Sequence, residues 1–341
     1  MTASLHPVSG TAEEVLPLLR GWLDTGEPLT MRTSGSTGAP KDVVLSRDAM
    51  VASATAAIDR LGGPGQWLLP LPVTGVGGLQ VLLRSILAGT DPVVDADVVA
   101  GAERLTAERR YASIVPTQLH RLDAAGRLDV LARLDAVLIG GAGTDPDLLA
   151  RARAAGVEVV RTYGMTETCG GCVYDGLPLD GVAMRVVDEQ VELSGPVLMD
   201  GYTDPVLTAD AVQDGWFRTG DLGRITDGVL SITGRRDDVV QSGAVKVALP
   251  AVTAALKSLE GVRDAIALGA PDPEWGSRVV AFVVPGDAVC LDALRLDELR
   301  DAVEEAGLPR ASAPRQVVLV DDLPLLANGK IDRQALLRYA G

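Results

Sequence analysis

Short apolar runs alternate with amphipathic stretches through the first half of the chain. Trp67-Leu-Leu-Pro70, Val93-Val94, Tyr111 to Val115, Asp135 to Ile139 and Val157 to Arg161 read as buried strands. Helical spacing fills the gaps between them. Leu79, Leu82, Leu83, Ile86 and Leu87 share one helical face, and Gly89 ends that helix. Ser46 is placed to cap an alanine-rich helix running to about Arg60. Further helices are predicted over Ala12 to Leu23, over Val98 to Arg109, and near Gln118. Asp145-Pro146 opens another, which runs to Ala155 and stops at Gly156. This alternation predicts βαβ units and a largely parallel sheet.

After Gly176 the pattern changes. Val182 to Val187, Gln190 to Leu193, Trp216 to Thr219 and Leu230 to Thr233 are short strands separated by Gly, Asp and Pro, an antiparallel, barrel-like texture. Gly234-Arg-Arg-Asp-Asp238 is polar and reads as a linker. An α+β unit follows, with helices over Pro250 to Leu259 and Leu296 to Glu305. Its strands are Val262 to Leu268, Arg278 to Val284 and Gln316 to Val320. The loop Leu323 to Lys330 leads into a C-terminal helix.

Composition narrows the function classes. A chain of 341 residues can hold two domains, and 47% hydrophobic with 23% charged residues is globular. The net charge of −15 disfavours nucleic acid and anionic membranes, and requires a local cationic site for any anionic ligand. No signal peptide is expected. The most apolar stretch, Trp67 to Gly89, is interrupted by prolines, glycines and Arg84, so no membrane insertion is expected. Three cysteines fit a reducing, cytoplasmic setting. Cys169-Gly-Gly-Cys172 has redox spacing but no helix start to acidify a thiol, which favours a packing role. His6 and His120 are the only histidines, which argues against a Ser-His-Asp triad.

The stretch with most chemistry is Ser34 to Lys41, SGSTGAPK, between the apolar segments Leu29 to Thr33 and Asp42 to Leu45. Gly35 and Gly38 allow backbone amides to approach an anion. Ser34, Ser36 and Thr37 offer hydroxyls, and Lys41 a charge. It lacks the GK[ST] of a P-loop, and the β-branched residues after it place it between two strands. A Gly/Ser-rich surface turn is the bland alternative. Ile139-Gly-Gly-Ala-Gly143 and Tyr163-Gly-Met-Thr-Glu-Thr168 each end a strand of the parallel sheet, where open α/β sheets bind ligands. The first leaves room for a flat ring. The second supplies an aromatic, hydroxyls and a carboxylate suited to Mg2+. Asp214 to Asp221 ends in a carboxylate suited to ribose, and Asn328-Gly-Lys-Ile-Asp332 carries a lysine at a loop tip.

Taken in order, these segments resemble the adenylate-forming superfamily of acyl-CoA synthetases, luciferases and peptide-synthetase adenylation domains. SGSTGAPK is similar to its phosphate loop, YGMTET to its nucleotide and magnesium motif, and WFRTGD to its ribose motif. GRRDDVVQSG is similar to its hinge, and PLLANGKIDR to its C-terminal lysine motif. Leu69 to Pro72 with Leu79 to Gly89 looks most like the o-succinylbenzoate–CoA ligases of menaquinone synthesis. The resemblance implies an α/β fold, mixed α/β and α+β. A large N-terminal ATP- and acyl-binding domain (1–234) would carry the parallel sheet and the barrel-like region. A hinge (235–240) would join it to a small mobile C-terminal lid (241–341).

The same resemblance implies the site. Lys330, Thr166 and Glu167 are the expected catalytic residues, with Glu167 on Mg2+. Ser34, Gly35, Ser36, Thr37, Gly38, Lys41, Gly141, Ala142, Tyr163, Gly164, Asp221 and Arg235 are expected to bind ATP or AMP. Arg84, Thr74, Gly77 and Gly140 are assigned to the acyl substrate, Arg84 near its second carboxylate. Asp237 is the expected hinge and Gly243 the CoA contact. ATP, Mg2+ and CoA are the implied cofactors and co-substrates, and a small-molecule carboxylate the partner. Most of the subdomain that precedes the phosphate loop in the family is missing, so a homodimer covering exposed core is a further expectation. Another aryl or acyl acid, a carrier-protein thiol, or a non-catalytic nucleotide-binding relative are the alternatives.

Overall fold

The computed structural model describes residues 3–33, 41–243, 245–286, 296–325 and 331–340, the side chain of Asp237 excepted. The chain divides into two compact units. One comprises Met1–Thr219 with Arg224–Ser231, the other Gly220–Gly223 with Ile232–Gly341.

The first unit is built on a seven-stranded sheet. Its order is Leu177–Pro178, Gly170–Tyr174, Val159–Met165, Ala136–Ile139, Arg110–Ile114, Gln66–Leu69, Val93–Val94. The last five strands of that order run parallel, with register Leu68↔Val93, Trp67↔Tyr111, Ile114↔Ile139 and Ile139↔Arg161. Both faces are buried, as a parallel sheet requires. Leu68, Ala112 and Val137 pack with Leu119, Leu131 and Leu149 in one core. Trp67, Leu69, Tyr111 and Leu138 pack with Leu19, Met50, Leu79 and Leu82 in another. Local signals set the helices on these faces. The Ser46 hydroxyl accepts the Ala49 amide at the start of Arg47–Arg60, and Asp145 caps Pro146–Ala154 with proline in the first turn.

The β-rich region resolves into two antiparallel sheets. One, three-stranded, has the order Gly201–Tyr202, Lys41–Leu45, Leu29–Thr33. The other contains Ala183–Val187, Gln190–Ser194, Val212–Gln213 and Trp216–Thr226, with Val229–Arg235 pairing the last of these.

Two expectations are corrected here. The helix predicted to Arg109 is Val98–Glu103 only. Beyond it, the Gln66 carboxamide oxygen accepts the Thr106 and Ala107 amides at 2.8 and 3.2 Å, so a strand side chain takes the place of helical carbonyls. The stretch Gly234 to Asp238 is not a free linker. Gly234 and Arg235 end a strand, and Arg236–Asp238 form a 3-10 turn. Asp238 is buried there and pairs with Arg333.

In the second unit the sheet order is Val245–Ala248, Val239–Ser242, Gly276–Pro285, Val262–Asp272. Gln316–Leu319 lies parallel to Gly276–Pro285. Val252 and Leu256 of the Leu249–Lys257 helix, with Leu299 and Val303 of Leu296–Glu305, form one of its cores. Leu336 of Arg333–Leu337 belongs to the other, with Phe282 and Leu268. Among the described residues no helix is long and apolar enough to cross a membrane.

Candidate active site

The C-terminal edge of the parallel sheet collects most of the expected residues of the first unit. Gly140, Gly141 and Ala142 follow directly on Ile139. On the neighbouring strand, the Thr162 hydroxyl donates to the Ile139 carbonyl at 3.3 Å. A Cβ on Gly140 would lie 2.3 Å from that Thr162 oxygen, so the two strand ends meet here without room for a side chain. Gly141 turns the chain at φ +85°, a conformation that favours glycine. Tyr163, Gly164 and Met165 complete the Val159–Met165 strand, and Thr166–Thr168 form a 3-10 turn that presents Thr166 and Glu167. Gly164 allows the closest approach, since its Cβ would sit 2.0 Å from the Gly170 carbonyl oxygen of the antiparallel neighbour.

Behind that turn, the Ser53 hydroxyl and the Gln80 amide both donate to the Cys169 carbonyl, at 3.0 and 2.8 Å. This fixes Cys169 at φ 52° and so the exit of the turn. Cys169 and Cys172 are free and buried. Burial pushes both thiols up, Cys172 to about 12. They are inert packing groups rather than a redox pair.

Glu167 is held by a residue that sequence reasoning did not select. The Tyr202 hydroxyl donates to Glu167 Oε1 at 2.8 Å, and the Met199 amide donates to the Glu167 carbonyl at 2.9 Å. Lys41 Nζ lies 5.3 Å from the centroid of the same Tyr202 ring. Burial, with the Glu167 carboxylate second, raises the Tyr202 phenol well above its ordinary value, so it stays a donor. Residues Ser34 to Pro40 lie outside the described residues, but the strands flanking them are paired through Thr33↔Lys41 and Arg32↔Asp42. The Arg32 guanidinium bonds Asp42 through two contacts, 2.9 and 3.0 Å, and holds that carboxyl below the usual range. The hairpin therefore carries Lys41 at its end and delivers it to the ring that grips Glu167.

Among the described residues no cluster of three or more His, Cys, Asp or Glu side chains surrounds a metal position. The donor set at Glu167 fits Mg2+. One carboxylate oxygen accepts the Tyr202 hydroxyl hydrogen bond, and among the described residues the other would be the one to face a hard cation, with phosphates and water to complete its shell.

Arg84 is buried. The residue is 4% exposed, and its guanidinium lies 4.1 Å from the centroid of the Trp67 ring. Nε donates to the Gln80 carbonyl at 3.0 Å. Trp67 is the second residue of its strand, and Arg84 lies in the last turn of Val76–Leu87. Trp67 is thus near the N-terminal end of its strand. Burial depresses the guanidinium's affinity for its proton, with Tyr174 opposing. The residue is a buried cation packed on an aromatic face. Thr74 and Gly77, by contrast, flank the start of that helix, just beyond the strand end at Leu69. Thr74 is exposed, and a Cβ on Gly77 would rest 3.5 Å from Leu71.

In the second unit Asp221 and Arg235 form an ion pair at 3.6 Å, and Gly220 leaves the space that Arg235 fills. Asp237 lies in the Arg236–Asp238 turn. Gly243, at φ +61°, donates its amide to the Trp275 carbonyl, and a Cβ there would meet the indole at 2.8 Å. Lys330 lies outside the described residues.

The family AMP-binding enzyme matches residues 29–202, and the family AMP-binding enzyme C-terminal domain matches residues 251–330. The chain belongs to the AMP-binding enzyme family. This AMP-binding enzyme is 44% identical over 337 residues to the "Probable 2-succinylbenzoate--CoA ligase" of Mycobacterium tuberculosis, covering 94% of this chain and 86% of that protein. Among solved structures it resembles o-succinylbenzoate CoA synthetase (MenE) from Bacillus subtilis in complex with the acyl-adenylate intermediate OSB-AMP. The TM-score is 0.76 at 28% identity, over 90% of this chain and 68% of the other. The same enzyme in complex with ATP and magnesium ion gives 0.76 at 28% identity, over 90% and 69%.

Proposed function

We propose that this AMP-binding enzyme is an ATP-dependent acid–CoA ligase whose acid is o-succinylbenzoate. The observation that carries the reading is the Lys41–Tyr202–Glu167 cluster, which joins a cation beside the phosphate loop to a carboxylate at the ligand edge of the sheet. Such a pairing suits a triphosphate with its metal. The choice of acid is supported by the names of the relatives above.

The reaction has two halves. The substrate carboxylate attacks the α-phosphorus of ATP, forming a carboxyl–phosphate bond and releasing pyrophosphate. The CoA thiol, losing its proton, then attacks the acyl carbon and AMP leaves. Bound magnesium supplies neutralisation of the phosphate charge. The chain's contribution is positioning and electrostatics. Ser34 to Gly38 and Lys41 would grip the departing phosphates, and Thr166 would donate to a phosphate oxygen. Gly141, Ala142, Tyr163 and Gly164 would bound the adenine, Asp221 and Arg235 would bind ribose, and Thr74, Gly77 and Gly140 would shape the acyl pocket. Lys330 would bridge the attacking carboxylate and the α-phosphate. Asp237 would be the hinge about which the C-terminal domain turns, with Gly243 meeting CoA in the second half.

The deciding experiment incubates the enzyme with ATP, Mg2+, CoA and a panel of aryl and acyl acids, reading AMP and thioester. o-Succinylbenzoate should give the highest kcat/KM. Turnover of another acid alone would move the substrate assignment, and no pyrophosphate exchange with any acid would overturn the ligase reading. A cytoplasmic homodimer is proposed with it, to be checked by sedimentation of the purified chain.

A further inference from the structure

Two bonds to Glu167 come from one short segment of the fold. Met199 binds its backbone carbonyl, and Tyr202 binds its side chain. Tyr202 is in turn fixed along its whole length. Its strand pairs with Lys41–Leu45 through Gly201↔Val44 and Tyr202↔Val43. Its amide donates to the Thr208 hydroxyl at 2.8 Å, and that hydroxyl shares its one proton between the Asp204 carbonyl at 3.1 Å and the Tyr202 carbonyl at 3.3 Å. Gly201 is required for this clamp, since a Cβ there would lie 2.8 Å from Thr208 atoms.

The register also explains why Lys41 meets the ring. Tyr202 stands opposite Val43, and Lys41 is two residues from Val43 on the same face of the pleat. A diagonal neighbour at that spacing is within reach of a long side chain. One aromatic residue therefore contacts the cation of the phosphate hairpin with its face and the carboxylate with its hydroxyl.

We propose that Tyr202 is a positioning residue which fixes the Glu167 carboxylate for magnesium and aligns Lys41 beside it. This rests on the reading of Glu167 as the magnesium ligand. Its chemistry follows from the donor count. A carboxylate free to rotate offers either oxygen in many orientations. With Oε1 accepting the phenol proton, the remaining oxygen is held in one direction, and the cost of ordering it is met before the metal arrives. The ring face holds the Lys41 ammonium by cation–π attraction, which needs the ring but not the hydroxyl.

The two contacts can be separated by two variants of the full chain. Tyr202→Phe keeps the ring and removes the donor. Tyr202→Leu removes both. Calorimetric titration with ATP, with and without Mg2+, reads each term without turnover. Electron paramagnetic resonance of bound Mn2+ reads the metal alone. Tyr202→Phe should weaken Mg2+-dependent ATP binding and Mn2+ binding about 10-fold, the scale of losing an outer-shell partner. Its metal-free ATP affinity and melting temperature should match the parent. Tyr202→Leu should show the same metal defect plus a roughly 2- to 5-fold loss of metal-free ATP affinity. A Tyr202→Phe enzyme indistinguishable from the parent across the Mg2+ titration would overturn the proposal. So would equal losses with and without metal accompanied by a lower melting temperature, which mark a merely structural residue. A parent enzyme that binds ATP with no gain from Mg2+ would instead remove the metal reading of Glu167, and the proposal with it.

Discussion

Arg84 lies over the face of Trp67, its guanidinium carbon 4.1 Å from the ring centroid. The pair belongs to the core, and its energetics are those of a desolvated cation. Removing the side chain leaves a cavity beside Trp67, so Arg84→Ala should cost roughly 2–4 kcal/mol in urea unfolding. Arg84→Met fills most of that volume and removes a buried charge, so its stability should stay within about 1 kcal/mol of the parent. Neither should change KM for o-succinylbenzoate more than about twofold. A large KM effect in the well-folded Met variant would return Arg84 to the acyl site.

Lys330 is where the proposed chemistry is most exposed to test. If it stabilises the charge that gathers on the α-phosphate, Lys330→Ala should lower acyl-adenylate formation by roughly 10²-fold or more, the scale of losing one transition-state donor. Thioester formation from supplied acyl-adenylate should change far less. Pyrophosphate exchange reads the first half and thioester release the second. Equal losses in both would sink the assignment of Lys330 to the first half alone.

What was readable in the sequence was what local chemistry determines. Asp145-Pro146 marks a helix start because the cap and the proline act within one turn. The strand end at Ile139 is legible because buried parallel strands are short apolar runs closed by glycine or polar residues, whereas the strand expected to end at Arg161 runs on to Met165, where its continuation pairs antiparallel with Gly170–Tyr174. Depth and long-range contacts were not readable. Gln80 and Arg84, four apart, share a helical face, but a face can meet solvent or another layer, and here Arg84 meets Trp67. Tyr202 lies in a two-residue strand, Gly201–Tyr202, too brief for any alternation to register. Of the residues it joins, Glu167 is 35 positions earlier and Lys41 precedes the whole parallel sheet, so no local pattern links them. The one hint was a tyrosine in a polar Gly-Tyr-Thr-Asp-Pro stretch, in a chain with five tyrosines. The strand predicted over Trp216 to Thr219 runs to Thr226 because Val229–Arg235 folds back to pair with it, which supplies backbone partners that apolar content does not reveal.

Glycines at the candidate site make a graded prediction. Gly164 has no room, its Cβ position falling 2.0 Å from the Gly170 carbonyl oxygen, with backbone on the other side of the contact. Gly164→Ala should force the two strands apart and destabilise by roughly 3 kcal/mol or more. Gly140→Ala meets a side-chain hydroxyl instead and should be milder, displacing Thr162 from the Ile139 carbonyl. At Gly143 nothing lies within 4 Å, so Gly143→Ala should be within about 0.5 kcal/mol of the parent. Thermal melts of the three variants give the order directly, and a neutral Gly164→Ala would contradict the strand pairing described here.

The buried thiols give a pH prediction with a definite sign. Burial is the main cause that holds Cys169 and Cys172 protonated, Cys172 up to about 12 against an ordinary value of 9.0. A group whose folded value is raised contributes its full stability below the unfolded value. That contribution is then lost as pH climbs from about 9 towards the folded value, because only the unfolded chain releases the proton. Each thiol should therefore cost up to about 1.4 kcal/mol of stability per pH unit in that window. Other groups also titrate there, so the useful quantity is a difference. Stability of the parent minus that of Cys172→Ala should decline with pH above about 9. The same protection should appear chemically. Iodoacetamide at pH 9 should leave both cysteines unlabelled in the native protein and label both in urea, as read by peptide mass mapping. Rapid native labelling of Cys172 would mean an accessible thiolate, and would reopen a redox role for the Cys169–Cys172 pair.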